Sequence, residues 1–169
     1  SPPERVETIL REEGIPLDRP LVGMVPWGPA FRKLKSIVPV ILRKKHFSND
    51  DLRQLDEHCA ILAGAFDAFI ERHGVFVVFV AMDRSKGHGF DDEVAQRTIA
   101  RMRHKDQARL LGGSYDPKEV KGVLGRCEFV AGSRMHGLIL STGEGVPTVG
   151  VCFTEKIRDF GRLTGQQQM

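Results

Sequence analysis

The sequence predicts an α/β fold, a parallel sheet wound on both faces by helices, and three observations predict it. Segments with helical apolar spacing alternate with short β-branched or apolar runs from residue 37 onward. The run Val75-Phe-Val-Val-Phe-Val80 is apolar at every position, the pattern of a central strand covered on both sides. The connections between segments are short, as they are when each helix returns the chain to a neighbouring parallel strand.

Each element has its own signal. Glu4 to Glu13 has helical spacing and stops at Gly14. Leu21 to Val25 reads as a strand, Pro26 to Lys35 as a loop, and Ile37 to Leu42 as a second β-branched run that ends in Arg43, Lys44, Lys45 and His46. Ser48, Asn49 and Asp50 offer an N-cap for a helix over Asp51 to Arg72, with Leu52, Leu55, Cys59, Leu62, Phe66 and Phe69 on its apolar stripe. His73-Gly74 closes it. Asp91 or Asp92 then caps a helix reaching about His104. Ala108 to Leu111 is a short strand, and Asp116 to Leu124 a helix with Pro117 in its first turn. Glu128 to Ala131 is a strand, Met135 to Ser141 a helix, and Val146 to Val151 the last strand. The terminal Gln-Gln-Gln-Met is expected to fray. Residues 1–36 read as a leading helix, strand and loop, and residues 37–169 as the body of what is a single domain overall.

Composition limits the function classes. The chain has 169 residues, enough to bury a core, and 28% of them are charged, as in ordinary globular proteins. No stretch approaches the ~20 apolar residues of a membrane span, and the opening Ser-Pro-Pro-Glu-Arg lacks a signal-peptide hydrophobic region. The net charge of +3 comes from basic residues interleaved with acidic ones, so no nucleic-acid partner is expected. Cys59, Cys127 and Cys152 are odd in number and widely spaced in apolar sequence, which reads as core thiols of a reducing, cytoplasmic compartment and not as a zinc site.

A doubly wound sheet binds ligands beyond the carboxyl ends of its strands. That rule points to the loops after Leu42, Met82, Leu111, Ala131 and Val151. The loop after Ala131 reads Gly132-Ser133-Arg134-Met135-His136-Gly137: a strand end, a small-residue turn and a helix start. Free N–H groups at a helix N-terminus form an anion site, and Gly132 would let the backbone approach a ligand. A permanent cation at Arg134 and a titratable imidazole at His136 suit a phosphorylated substrate. The bland alternative has Arg134 paired with a nearby carboxylate and His136 as an ordinary helix-start residue. Gly145-Val-Pro feeds the last strand, placing Thr154, Glu155 and Lys156 in the loop at its carboxyl end and bringing Lys156 towards Arg134 and His136. Lys156 alone would read as a solvated lysine, Arg43 as part of a solvated basic run, and Glu144 as an exposed turn residue. No dinucleotide-binding glycine fingerprint, phosphate-binding loop or zinc-protease motif is present, and Ser133 has no base to make it a nucleophile.

At these residues the sequence resembles the polysaccharide pyruvyl transferase family. The resemblance lies in Gly125 to Ile139, with its Gly-x-Arg-hydrophobic-His turn, in Gly145 to Val151 followed by Lys156, and in the Val-Val-Phe-Val-Ala-Met run with its Asp-Asp-Glu helix start. It implies the Rossmann-like, carboxyl-terminal half of a glycosyltransferase B-type enzyme of two domains, with the amino-terminal domain absent from this chain. It also implies phosphoenolpyruvate as donor and a sugar of a cell-surface polysaccharide, or of its lipid-linked precursor, as acceptor. The product would be a pyruvate ketal, and a lipid-linked acceptor would bring the enzyme to a membrane surface. No metal or other cofactor is implied. By position, His136 matches the family's functional histidine, Arg134 the arginine two residues before it, and Lys156 the lysine after the last strand. Arg134, Lys156 and the N–H groups around Ser133 would then hold one anionic group of the donor and Arg43 the other, with Arg32 the alternative to Arg43. His136 would be the general acid, or would stabilise the departing phosphate. Phe153-Thr-Glu-Lys156 departs from the family's aromatic-Asp-Pro-Lys. Two other readings stay open: a nucleotide-sugar glycosyltransferase or epimerase of the same fold, in which Glu144 would bind ribose, and a non-catalytic anion-binding module.

Overall fold

A computed structural model describes residues 1–27, 49–83, 91–151 and 155–168. Among the described residues, six strands form one parallel sheet: β1 (Leu21–Val25), β2 (Phe76–Phe79), β3 (Ala108–Leu110), β4 (Cys127–Gly132), β5 (Thr148–Gly150) and β6 (Gln167–Gln168). Their spatial order is β3-β2-β1-β4-β5-β6. The chain builds outward from β1 in one direction, then crosses back to β4 and builds outward in the other. The reversal between β1 and β4 is the topological switch point of a Rossmann-like fold.

The helices are α1 (Pro3–Glu12), α2 (Asn49–His73), α3 (Asp91–Arg101), α4 (Pro117–Leu124), α5 (Met135–Thr142) and α6 (Glu155–Thr164). Alternation along the strands shows how both faces are covered. Leu21 and Val25 of β1, and Phe76, Val78 and the following Val80 at β2, share a core with Val6, Ile9 and Leu10 of α1 and with Val123 and Leu124 of α4. The intervening Val22, Met24, Val77 and Phe79 face Ala63, Phe66 and Ile70 of α2 and Ala95 of α3. A strand with an apolar partner on each side must be apolar at every position, which is why Val75–Val80 shows no alternation.

Local chemistry sets the ends. Gly14 and Gly74 close α1 and α2 at φ +66° and +64°, backbone conformations that cost glycine little. Asp116 caps α4 by accepting from the Lys118 and Glu119 N–H groups, and the Glu119 side chain returns to the Asp116 N–H. Pro117 occupies the first helical position, where no N–H is needed.

Three features differ from the sequence expectations. The segment after β5 is helical from Glu155 onward, so Lys156 lies in the first turn of α6. Gln167 and Gln168, expected to fray, pair with Val149 and Gly150 of β5. The leading strand β1 is the centre of the sheet, bonded to β2 on one side and β4 on the other. The expected strand Ile37 to Leu42, with Arg32, Arg43, His46, Cys152 and Thr154, lies outside the described residues. Among the described residues, no helix is long and apolar enough to cross a membrane.

Candidate functional site

The carboxyl ends of β1, β4 and β5 are tied side by side. The Ser133 N–H donates to the Val25 carbonyl at 3.1 Å, and the Val151 N–H donates to the Gly132 carbonyl at 3.0 Å. Ser133 is buried, and its N–H is committed to β1, so the N–H groups without an intrahelical partner begin beyond it, in the first turn of α5. Gly132 was expected to let a ligand approach; the approach it permits is that of β1. A Cβ on Gly132 would lie 2.9 Å from both the Val25 Cβ and the Val25 carbonyl oxygen, and one on Gly137 would lie 2.6 Å from the Val25 Cγ2. The two glycines let the turn and α5 settle directly onto the central strand.

Arg134 is the N-cap residue of α5, with extended backbone, and its side chain does not cap the helix. The guanidinium reaches Asp91 instead. Nε donates to the Asp91 Oδ1 and Oδ2 at 3.0 and 3.1 Å, and Nη2 donates to Oδ1 at 2.8 Å. Nη2 also lies 3.5 Å from the Asp83 Oδ2. The guanidinium carbon sits 5.6 Å from the centre of the Trp27 ring, which follows β1. A quarter of the Arg134 side chain is exposed, whereas that of Asp91 is fully buried.

Asp91 was read as a helix cap. Its carboxylate faces the loop after β2, accepting from the Met82 and Asp83 N–H groups at 3.0 and 2.9 Å. Burial raises its pKa above the ordinary carboxylate value, and the hydrogen bond and charge of Arg134 with the two N–H groups oppose that rise. Every contact of the carboxylate is a hydrogen-bond donor, which favours its charged form against the burial. One buried side chain thereby joins the carboxyl ends of β2 and β4 across the switch point. Asp91 lay at a helix start after the second core strand and read more readily as a cap than as part of the site, and Trp27 was not singled out. The usable signals were the lone tryptophan just past a strand's carboxyl end and an acidic residue at a helix start facing that same edge.

His136 is exposed in the first turn of α5 and Lys156 in that of α6, after the adjacent strand β5. Neither is joined to Arg134 by a hydrogen bond among the described residues, while α5 packs against both β5 and α6. Glu144 lies beyond the opposite end of α5 and pairs with Lys121 at 2.9 Å, away from the loop after β4. Beside the site, a cavity of about 220 Å³ opens at the ends of β2 and β3. Val80, Met82, Leu111, Tyr115, Val120 and Leu140 line it. Leu140 is one helical turn from His136 on the same face of α5. At the cavity edge, the Glu13 carboxylate accepts from the Gly112 and Gly113 N–H groups and the Tyr115 hydroxyl.

The family model for polysaccharide pyruvyl transferase matches residues 34–151, more than half of the chain. The chain belongs to the polysaccharide pyruvyl transferase family. The match spans β2 to β5 and includes Arg134 and His136. No curated protein matches the chain. Among solved structures it is similar to the ADP-heptose lipopolysaccharide heptosyltransferase II of E. coli, with 18% identity, a TM-score of 0.57, and coverage of 88% of this chain and 37% of that one. It is also similar to a glycosyl transferase family 9 protein of Veillonella parvula, with 18% identity, a TM-score of 0.52, and coverage of 88% and 34%. At such identity the likeness is one of fold, the Rossmann-like fold of glycosyltransferase B-type proteins. This chain of the pyruvyl transferase family spans about a third of the length of the solved structures it matches.

Proposed function

We propose that the chain is the donor-binding domain of an enzyme that transfers pyruvate from phosphoenolpyruvate to a glycan sugar as a cyclic ketal. The observation that supports this reading is the Arg134-Met135-His136 turn. It sets an aligned guanidinium and an exposed imidazole at a helix start, on the switch point of a chain from this family. The donor is multiply anionic. Asp91 already neutralises Arg134, so the guanidinium serves as an oriented donor, and the first-turn N–H groups of α5 and the charge of Lys156 supply the remaining attraction. Arg43 is proposed for the donor's second anionic group.

In the reaction, His136 gives a proton to the methylene carbon of phosphoenolpyruvate. A sugar hydroxyl bonds to the adjacent carbon and its proton returns to the imidazole. The carbon–oxygen bond to phosphate breaks, and a second hydroxyl closes the ring, its proton leaving with hydrogen phosphate. A glycan diol and phosphoenolpyruvate thus become ketal and phosphate without an oxidant. The acceptor would lie against a second domain, in the cytoplasm or at a membrane surface where a lipid-linked glycan is presented.

His136→Ala in the two-domain enzyme is expected to lower turnover about 10²–10⁴-fold with the fold intact, as loss of a proton donor does. Phosphate release from phosphoenolpyruvate with a glycan acceptor measures it, and turnover within a few-fold of wild type would reject the role.

A further inference from the structure

Arginine offers five N–H donors on three nitrogens in a fixed plane. Asp91 engages Nε and Nη2 of Arg134, and Asp83 lies beside Nη2. Among the described residues nothing accepts from Nη1. The guanidinium carbon lies 5.6 Å from the centre of the Trp27 ring, within cation–π range. The guanidinium is therefore held along its Nε–Nη2 edge with Trp27 beside it, and only the Nη1 corner remains. Asp91 is itself immobile, because the Met82 and Asp83 N–H groups fix its carboxylate and it is buried.

We infer that Asp91 is a positioning residue for the donor site: with Trp27 it orients Arg134 so that the Nη1 corner alone meets the anion. The inference rests on the reading of Arg134 as a donor-binding residue. Electrostatics make it specific. If Arg134 acted as a bulk positive charge, neutralising Asp91 would strengthen anion binding, since a counter-charge would be gone. If it acts as an aligned donor, the same change weakens binding, because the guanidinium loses its edge contact and leaves the Trp27 face. The two roles predict opposite signs.

The test is a double-mutant cycle on the chain with Asp91→Asn, Arg134→Gln and the pair. Phosphoenolpyruvate affinity is read by calorimetry, and the emission of Trp27, the chain's single tryptophan, is read without ligand. Asp91→Asn should weaken phosphoenolpyruvate about tenfold, the scale of a hydrogen bond to a charged group. The double variant should be no weaker than Arg134→Gln alone, and both single variants should shift Trp27 emission alike. Unchanged or tighter binding in Asp91→Asn, or losses that add, overturns the inference. Should Asp91→Asn unfold, Arg134→Lys keeps charge and partner but not the planar fork; a loss of about tenfold is expected there too, and full affinity overturns the inference. If wild type binds inorganic phosphate but not phosphoenolpyruvate, the donor assignment fails, and the cycle run with phosphate still decides the role of Asp91. If wild type binds neither, both fall.

Discussion

Asp67, on the buried face of α2, accepts from the Arg103 and His104 N–H groups at 2.9 and 3.0 Å. Burial pushes its carboxyl up, yet those two donors and the nearby charge of Arg103 hold it below the ordinary carboxylate range. A depressed folded pKa stabilises above the unfolded value of about 4 and is lost as pH falls through the folded one. Asp67→Ala should therefore cost about 1–3 kcal/mol at neutral pH, the cost of leaving two partly buried donors unpaired. Chemical denaturation should show that difference shrinking as the pH falls below about 4; a difference independent of pH would contradict it. Tyr115 behaves in the opposite sense. Burial and its bond to Glu13 push the phenol up to about 12, so the neutral form stabilises the fold below about pH 10 and that contribution fades above it. It is the chain's only tyrosine, and an absorbance titration should show one phenolate step near 12 that Glu13→Gln lowers. A step near 10 would mean that the Glu13 clamp does not form. The start of α4 was legible because Asp116 and Pro117 mark a helix start by themselves. The Asp91–Arg134 pair was not, because its members are 43 residues apart and only the crossover from β3 to β4 brings them together.

Among elements, the packing of α5 on β1 is the most demanding. Alanine is ordinarily the better helix former by about 1 kcal/mol, but at Gly137 its Cβ would lie 2.6–2.7 Å from the Val25 methyl groups. Gly137→Ala should destabilise the protein by about 1–3 kcal/mol, as overpacking does, and Val25→Ala should recover part of that in the double variant. A neutral or stabilising Gly137→Ala would show that α5 does not sit as close as described. Most elements were legible from apolar spacing and from caps and glycines. Helix α6 was not, because it buries only Ile157 and Gly161 among its described positions, too few to set a helical period. The central place of β1 was only half legible: Leu21–Val25 carries no polar side chain, as a strand covered on both faces requires, but strand order follows from which crossovers a sheet accepts.

At the scale of the whole molecule, the proposed function assigns ligand binding to one edge of the sheet and the chemistry to two short turns and a buried carboxylate. The chain spans about a third of the length of the solved structures it matches, and is proposed to form one wall of a cleft. It should therefore bind the donor and not turn it over until the second wall is present. The most direct measurement is a calorimetric titration of the chain with phosphoenolpyruvate and, in parallel, UDP, for wild type and Arg134→Ala. Saturable phosphoenolpyruvate binding that disappears in Arg134→Ala, with no UDP binding, is the expected result. UDP binding without phosphoenolpyruvate, or phosphoenolpyruvate binding indifferent to Arg134, would contradict it.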